Sequence, residues 1–277
     1  MTRKKILLAV TTYPLPSRSY DELVCTAGFL EDGSWIRIYP IPLSFLRGLK
    51  KDGVVQSTKY TWIELDLKKR TDDFRPESHS PADYEFKDMV VAEHLDTQSN
   101  WRARKDICLK KVYTDLTKLI EDSKAPTNVS LATFKPTKIT AFEVEKDEDD
   151  WKQLWLDLKK QTNLFSKADT ETEKAPFPKV PYKFYYRFED EKGRSSRLMI
   201  EDWEIGQLYW NCLRDAKNDE KIAIEKVKLK YDVEFRLEKD VYLFLGTTQK
   251  WHTLRSPNPF VIIGVFYPKK ETQLALF

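Results

Sequence analysis

The feature that most constrains the fold is a two-residue alternation of apolar and polar side chains along several short segments. Residues 60–68 alternate over their whole length, and one side of the segment is formed by Thr61, Ile63, Leu65 and Leu67. Successive side chains of a β-strand point to opposite faces, so this pattern predicts a half-buried strand. A chain with several such segments must pair them into a sheet or barrel.

The remaining elements follow from the same patterns and from turn and cap residues. The first half predicts strands over 5–12, 22–29, 34–39, 60–68 and 137–145, with one helix over 101–120. The second half predicts a hairpin of 183–188 and 196–200, helices over 203–216 and 220–231, and strands over 241–247 and 260–267.

Between the halves, Trp151–Leu158 predicts a short helix, and residues 166–181 are rich in Thr, Glu, Lys and Pro, as linkers are. We therefore expect an α+β, β-rich protein with two OB-like, small β-barrel modules in tandem, each with inserted helices. The expected divisions are a first module at 1–145, a helix and linker at 146–181, a second module at 182–268 and a tail at 269–277.

The amino-acid composition limits the classes of function that the chain can have. The 47 basic and 44 acidic residues leave a formal charge of +3, so any binding of nucleic acid must depend on local surfaces. With eight glycines and no glycine-rich phosphate loop, an ATPase or a Rossmann enzyme is not expected. The three cysteines and three histidines lack the spacing of a disulfide framework or a metal site, so we expect neither, and no cofactor. No apolar run could span a bilayer, which predicts a cytoplasmic protein without a membrane partner.

Three strands place aromatic and basic side chains on one face. Aromatic rings stack on bases, and cationic side chains contact phosphates, so such faces are typical of binding to single-stranded nucleic acid. The predicted contacts are Trp35, Arg37, Tyr39, Trp62, Lys183, Tyr185 and Arg187. The alternative is that these are ordinary amphipathic strands, with the aromatics packed beneath a helix and the cations in salt bridges.

A catalytic alternative lies on the strand at 60–68. Asp66 and Lys68, with Glu64 beside them, match the carboxylate and lysine of a PD-(D/E)xK-like nuclease, which hold a divalent metal and the scissile phosphate. An upstream metal-binding aspartate has no convincing candidate. The same three side chains are also common on the solvated face of a strand.

The five residues Gln273-Leu274-Ala275-Leu276-Phe277 follow a polar spacer after Pro268. They resemble the sliding-clamp-binding motif of bacterial replication and repair proteins, whose usual form is Gln-Leu, then Ser or Asp, then Leu-Phe. Only the variable middle position, Ala275, departs from that form. The resemblance implies that Gln273, Leu274, Leu276 and Phe277 contact the clamp. Alternatively, the three apolar side chains dock on the protein's own surface.

Several longer sequence segments resemble an uncharacterised bacterial family with a dual-OB-type domain. These segments are Thr12-Tyr13-Pro14, Asp32 to Pro40, Arg75-Pro76-Glu77-Ser78, Ser130-Leu131 followed by Lys135-Pro136, Asp202-Trp203-Glu204, and Phe244 to Thr247. The resemblance covers nearly the whole chain except the tail. It implies a non-enzymatic module that binds nucleic acid, near repair or genome-defence genes, and it provides no catalytic residues.

The sequence therefore predicts an accessory protein that binds single-stranded DNA or RNA and is recruited to the bacterial sliding clamp in replication, repair or genome defence. We also expect this protein to contact other subunits of a repair or defence complex. Two alternatives stay open, a clamp-associated metal-dependent nuclease and a scaffold subunit whose aromatic side chains contact protein.

Overall fold

The computed structural model describes residues 1–13, 23–43, 46, 48–51, 54–55, 57–148 and 178–271. The N-terminal elements are β1 (Thr2–Thr11), β2 (Leu23–Phe29), β3 (Trp35–Pro42), β4 (Lys50–Lys51), β5 (Val54–Val55), β6 (Thr61–Lys69), β7 (Ser78–Pro81), β8 (Val90–His94) and α1 (Gln98–Cys108). They are followed by β9 (Val112–Tyr113), α2 (Leu116–Asp122), β10 (Leu131–Phe134), β11 (Lys138–Lys146), β12 (Tyr182–Glu189) and β13 (Ser195–Met199). The C-terminal elements are α3 (Trp203–Asp215), α4 (Glu220–Lys228), a π-helix (Leu229–Glu238), β14 (Tyr242–Thr247), α5 (Gln249–Thr253) and β15 (Phe260–Phe266).

The first module is a closed barrel of five strands. Its strands are hydrogen-bonded in the order β1-β2-β3-β7-β6, and β6 returns to pair with β1. All neighbours are antiparallel except β3 and β7, which are parallel. Strand β8 pairs antiparallel with the first residues of β6, from Thr61 to Glu64. Together with the second sheet module and the five α-helices of the described residues, this confirms the predicted α+β, β-rich fold of two barrel-like modules in tandem.

Strand β1 is apolar on both sides because both of its faces are covered. Ile6 and Leu8 belong to the barrel core, whereas Leu7 and Ala9 belong to a second core shared with Phe244 and Phe266 of the other module. A strand that is buried on both faces loses the alternation seen at 60–68 and becomes a continuous apolar run. The two modules are therefore joined by a hydrophobic interface along β1.

The second module contains two sheets around its own core. Strands β9, β10, β14 and β15 form one sheet and β11, β12 and β13 the other, and a parallel bridge between Ile200 and Ile262 connects them. Helix α3 begins after Asp202, whose carboxylate accepts a hydrogen bond from the Glu204 N–H, and its Ile205 and Tyr209 are buried in this core. An acidic residue in the first turn and Arg214 in the last suit the helix dipole.

Residues 101–120, predicted as one helix, are divided between α1, β9 and α2. Val112 and Tyr113 pair in parallel with Thr133 and Phe134 of β10, which interrupts the helix. Asp115 then caps α2 by accepting a hydrogen bond from the Lys118 N–H. A strand partner about twenty residues away thus overrides the local helical pattern.

The central part of the chain is only partly described. The predicted helix at 151–158 and most of the predicted 146–181 linker lie outside the described residues. Strands β10 and β11, grouped by sequence with the first module, pair with β14 and β12 of the second half, and β9 pairs with β10. Within the described residues, the helices all fall short of the length and apolar character needed to cross a membrane.

A substitution at Gly206 would test how closely the chain after β1 packs on α3. A Cβ atom at this position would lie inside the van der Waals radius of the Tyr13 ring. We expect Gly206→Ala to lower the free energy of unfolding by about 1–3 kcal/mol, the usual cost of overpacking. Urea unfolding measures the change. Gly193→Ala is the control, because its added Cβ meets no atom within 4 Å and only its positive φ of 76° opposes the substitution.

Candidate functional site

A cavity of about 600 Å³ lies where the two modules meet. Its walls come from β2, β3 and the β6–β7 loop on one side, and from β12, β13, the start of α3 and the end of β14 on the other. The basic side chains that line it are Arg37, Arg70, Arg75, Lys179 and Lys183, and the acidic ones are Asp147, Glu201 and Asp202. Tyr13, Tyr39 and Tyr182 also line it, beside an apolar floor that includes Val10, Ala27 and Ile263.

Arg37 is a buried cation without a carboxylate partner among the described residues. Its side chain is 3% exposed and donates to Ser78 Oγ at 3.2 Å, Ser130 Oγ at 2.8 Å and the Ser130 carbonyl at 3.2 Å. Burial lowers the pKa of its guanidinium from the ordinary value. Its direct hydrogen-bond partners are neutral, whereas the carboxylates of Glu77 and Asp73 act on its charge without a hydrogen bond to it.

The loop between β6 and β7 carries two arginines with different partners. Arg75 is buried and binds Asp73 with both ends of its guanidinium, at 2.8 Å and 2.6 Å, while also donating to the Thr247 carbonyl at 2.8 Å. Arg70 pairs with the exposed Asp72 at 2.6 Å, and its guanidinium lies 5.4 Å from the centre of the Tyr39 ring. Arg75 therefore joins the modules, whereas Arg70 keeps access to solvent.

Glu77 completes the contact between this loop and the second module. It accepts hydrogen bonds from the Ser130 backbone N–H at 2.9 Å and from the Ser130 hydroxyl at 2.7 Å. Since Arg37 donates to the same hydroxyl, a chain of hydrogen bonds runs from Arg37 through Ser130 to Glu77. These bonds fix the position of the arginine in the cavity wall.

The opposite wall is acidic. Asp202 forms a backbone bridge with Thr12, is 2% exposed, and uses Oδ1 to cap α3 at Glu204 N, 3.1 Å away. Lys59 and the Val265 backbone N–H, neither of which lines the cavity, also act on this carboxylate and favour its charged form. Burial raises the pKa of Asp202 to about 7, and burial also raises the pKa of Glu201.

A third group of charges sits at the mouth of the cavity. Lys179 and Lys183 share Asp147, at 3.1 Å and 2.9 Å respectively. Although burial opposes ionisation, the hydrogen bonds from Lys183 and Lys179 lower the pKa of Asp147 to about 2. Two lysines on one carboxylate leave a net positive charge at this position.

The structure brings three of the predicted nucleic-acid contacts together, since Arg37, Tyr39 and Lys183 all line the cavity. The two tryptophans lie elsewhere. Trp35 packs against Phe29 and Phe244, with ring centres 3.9 Å and 5.1 Å apart. Trp62 is 5% exposed, with Lys5 Nζ 5.1 Å from its ring centre.

Tyr185 and Arg187 lie on the β11–β12–β13 sheet, outside the cavity lining. The guanidinium of Arg197 covers the Tyr185 ring at 3.5 Å. Arg187 and Arg197 both pair with Glu143, at 2.8 Å and 2.6 Å. This surface is therefore a network of ion pairs.

The three residues of the nuclease alternative lie along β6. Glu64 pairs with Arg3 at 3.5 Å, and Asp66 lies opposite Arg3 in the register of β1 and β6. Lys68 donates to the Ala82 carbonyl at 3.3 Å. Within the described ranges, no three His, Cys, Asp or Glu side chains are grouped so that they could hold a metal ion.

The chain is anchored just before its last residues, although Gln273 to Phe277 lie outside the described residues. The Asn100 side chain donates to the Lys269 carbonyl at 3.0 Å and accepts from the Lys269 N–H at 2.8 Å. Lys105 pairs with Glu271 at 2.8 Å. These contacts fix the chain to α1 up to residue 271.

Sequence reasoning missed Arg70, Arg75, Asp202 and Lys179 as cavity residues. Arg75 and Asp202 were noted only because they lie in two segments of the family resemblance, Arg75-Pro76-Glu77-Ser78 and Asp202-Trp203-Glu204. Their charges sit in polar turns and at a helix cap, where charged residues are common. Only the folded chain brings them to one cavity.

Comparison with known proteins supports a two-domain family. Two family models match adjacent parts of the chain, one described as Domain of unknown function (DUF8758) at residues 2–110 and the other as Domain of unknown function (DUF8757) at residues 113–277. No curated protein matches the sequence.

Among solved structures, one of a murine DNA binding protein bound with ds DNA is similar over 98% of each chain, with 8% identity and a TM-score of 0.31. A likeness at this score supports no statement about the fold or function of the present chain. The family models are the stronger finding, because the second of them spans more than half of the sequence. The residues before the longer match, 2–110, are those that match the DUF8758 model. The chain therefore belongs to the family described as Domain of unknown function (DUF8757).

Proposed function

We propose that this protein binds single-stranded nucleic acid at the cavity between its modules and is recruited to the bacterial sliding clamp by Gln273–Phe277. The observation that carries the binding proposal is the cavity itself, which combines five basic side chains with three tyrosines. Clamp recruitment rests on the sequence of the tail. Such a protein serves DNA replication, repair or genome defence as an accessory factor.

The barrel supports this choice through its strand order. Five strands in the order β1-β2-β3-β7-β6-β1 match an OB-type Greek-key barrel in which β6 and β7 are the fourth and fifth strands. OB-folds bind oligonucleotides on the face of their second and third strands and with the loop between the fourth and fifth. Here that surface corresponds to Arg37 and Tyr39 of β3 and to Arg70 of the β6–β7 loop, all of which line the cavity.

The chemistry of the cavity fits a strand of nucleic acid. Arg37, Arg70 and the two lysines provide positive charge for phosphates. Binding releases counterions from the nucleic acid, and because this release is less favourable at high salt, salt weakens such contacts. Half-buried tyrosines provide ring surface for bases, at about 1–3 kcal/mol for each stacked base. Because Asp147, Glu201 and Asp202 offset part of the charge, we expect moderate affinity that depends on both stacking and phosphate contacts.

Arg70→Ala should weaken binding of a fluorescent single-stranded oligonucleotide about tenfold, because one phosphate contact and the ring contact with Tyr39 are lost. The slope of log affinity against log salt should fall by about one. Fluorescence anisotropy over a series of salt concentrations measures both quantities.

Arg187→Ala is the matched control for this prediction. It removes the same charge from a position outside the cavity lining, where Arg187 pairs with Glu143. We expect its affinity to stay within about twofold of the wild type. Equal losses in the two variants would mean that binding depends on overall charge, and a wild-type protein that fails to bind would refute the proposed function.

A further inference from the structure

Two exposed aromatic side chains lie beside the cavity. Within the described ranges, Trp251 is the only exposed tryptophan and Phe74 the only exposed phenylalanine, with 50% and 47% of their surface accessible. Side chains of this kind usually bury about 150–250 Å² each, and exposed apolar surface often marks a site of interaction. Both exceptions occur at the same place in the fold, so they form a candidate contact surface.

Both residues belong to elements that also form the cavity wall. Phe74 directly precedes Arg75 in the β6–β7 loop, Trp251 follows Gln249 by two residues in α5, and Arg75 and Gln249 line the cavity. The Phe74 ring contacts the His252 ring of α5, with centres 4.9 Å apart. The Gln249 side chain donates to a backbone carbonyl of the same loop at 3.3 Å. The loop and α5 therefore extend the cavity wall together onto the outer surface.

The charges around these aromatics favour an anion. Lys250 Nζ lies 5.2 Å from the centre of the Trp251 ring, and the exposed Arg255 follows α5. Residues 241–270 contain four lysines and arginines and no acidic residue, although the whole chain has 44 acidic residues. In the neighbouring loop, Asp72 and Asp73 are each paired with an arginine. Basic charge beside exposed rings is typical of surfaces that bind single-stranded nucleic acid.

We propose that the bound strand continues from the cavity onto an aromatic rim, formed by Phe74, Lys250, Trp251 and Arg255, where both rings stack on bases. This inference rests on the proposed function and extends the binding site onto α5 of the second module. The basic charge and the continuity with the cavity favour nucleic acid over an apolar protein segment. Full affinity should therefore need a strand that reaches both surfaces, within the about 4–16 nucleotides that one OB-fold engages.

Anisotropy with fluorescent oligo(dT) of about 4 and about 12 nucleotides tests this length dependence. We expect Trp251→Ala to weaken binding of the longer strand about tenfold, because one stacked base is lost, and to leave the shorter strand within about twofold of the wild type. Trp251→Phe keeps a ring and should hold the affinity for the longer strand within about threefold of the wild type. Since Trp251 is half exposed, neither variant should change thermal unfolding.

Tyr84→Ala is the matched control, because this aromatic side chain is 52% exposed but lies outside the cavity lining and the aromatic rim. It should leave both affinities unchanged. If the wild type binds the longer strand and Trp251→Ala binds it equally well, the aromatic rim is refuted while the proposed function stands. If the wild type binds neither strand, both are refuted.

Two further outcomes would overturn the aromatic rim alone. One is a loss in Tyr84→Ala as large as that in Trp251→Ala, which would mean that any exposed ring has this effect. The other is a loss in Trp251→Ala that is equal for both lengths, since the strand would then not continue beyond the cavity. Should Trp251→Ala unfold at a lower temperature, Trp251→Phe decides, because tenfold weaker binding by a folded variant that keeps a ring would contradict stacking.

Discussion

Replacing Asp73 with asparagine is expected to lower the free energy of unfolding by about 3–5 kcal/mol, the usual cost of removing one partner of a buried ion pair. The side chains of Arg75 and Asp73 are only 8% and 1% exposed. The variant would leave the guanidinium buried at the junction between the modules, beside Arg37 and without a counterion. Urea unfolding followed by tryptophan fluorescence measures the loss.

The adjacent residue provides a matched control. Asp72 also pairs with an arginine at 2.6 Å, but its side chain is 70% exposed. Water solvates both partners of such a pair once it is broken, so Asp72→Asn should leave the unfolding transition unchanged. A similar loss in both variants would show that burial of the Asp73 pair does not determine its contribution.

Asp73 also makes the difference between wild type and variant depend on pH. Although burial opposes ionisation, hydrogen bonds from Arg75 and Ser78 hold the pKa of Asp73 well below its ordinary value of 3.8. A carboxylate with a lowered pKa stabilises the folded state above its unfolded pKa, and this contribution disappears as the pH falls. The gap between wild type and Asp73→Asn should therefore be full at pH 7 and shrink progressively as the pH falls below the ordinary value of 3.8 toward the lowered pKa.

Alternation along the strands predicted the fold because it reports which side of each strand is buried. For 60–68 it correctly separated Ile63, Leu65 and Leu67, which lie in the barrel core. It could not report what covers the other side. Arg37 was expected on an open face, yet Ser130, 93 residues later, closes over it.

The cavity was beyond sequence reasoning for the same reason. Arg75 reaches the Thr247 carbonyl across 172 residues, and Asp202 meets Thr12 across the junction between the modules. Each of these residues sits in a turn or a cap that is unremarkable locally. Contacts between distant segments create the site, and a single sequence carries no signal for such pairing. The predicted Arg37, Tyr39 and Lys183 reach it because strand faces near an interface are partly covered by the neighbouring module.

The position of the anchor before the tail separates the two parts of the proposed function. Asn100 and Lys105 hold residues 269 and 271 against α1, whereas the cavity is lined by other elements. Changes in the five-residue peptide should therefore affect recruitment without affecting binding of oligonucleotides. That independence lets the clamp proposal be tested by itself.

Combined replacement of Leu276 and Phe277 by alanine should remove capture of the protein by an immobilised bacterial sliding clamp. Each buried apolar side chain contributes about 1.5–3 kcal/mol, so the pair accounts for about 3–6 kcal/mol of binding free energy. At about 1.4 kcal/mol for each factor of ten, the affinity falls at least about 100-fold. Surface plasmon resonance with the purified full-length chain measures the change, and anisotropy with an oligonucleotide should stay at the wild-type value.

Ala275→Ser is the matched control, because it alters the one position at which the peptide departs from the usual clamp-binding form. Its affinity should remain within a few-fold of the wild type. Unchanged capture of the Leu276 and Phe277 variant would refute clamp recruitment through this peptide. A lower free energy of unfolding in that variant, with no clamp binding by the wild type, would instead mean that the apolar side chains dock on the protein itself, since a free tail contributes nothing to the stability of the fold.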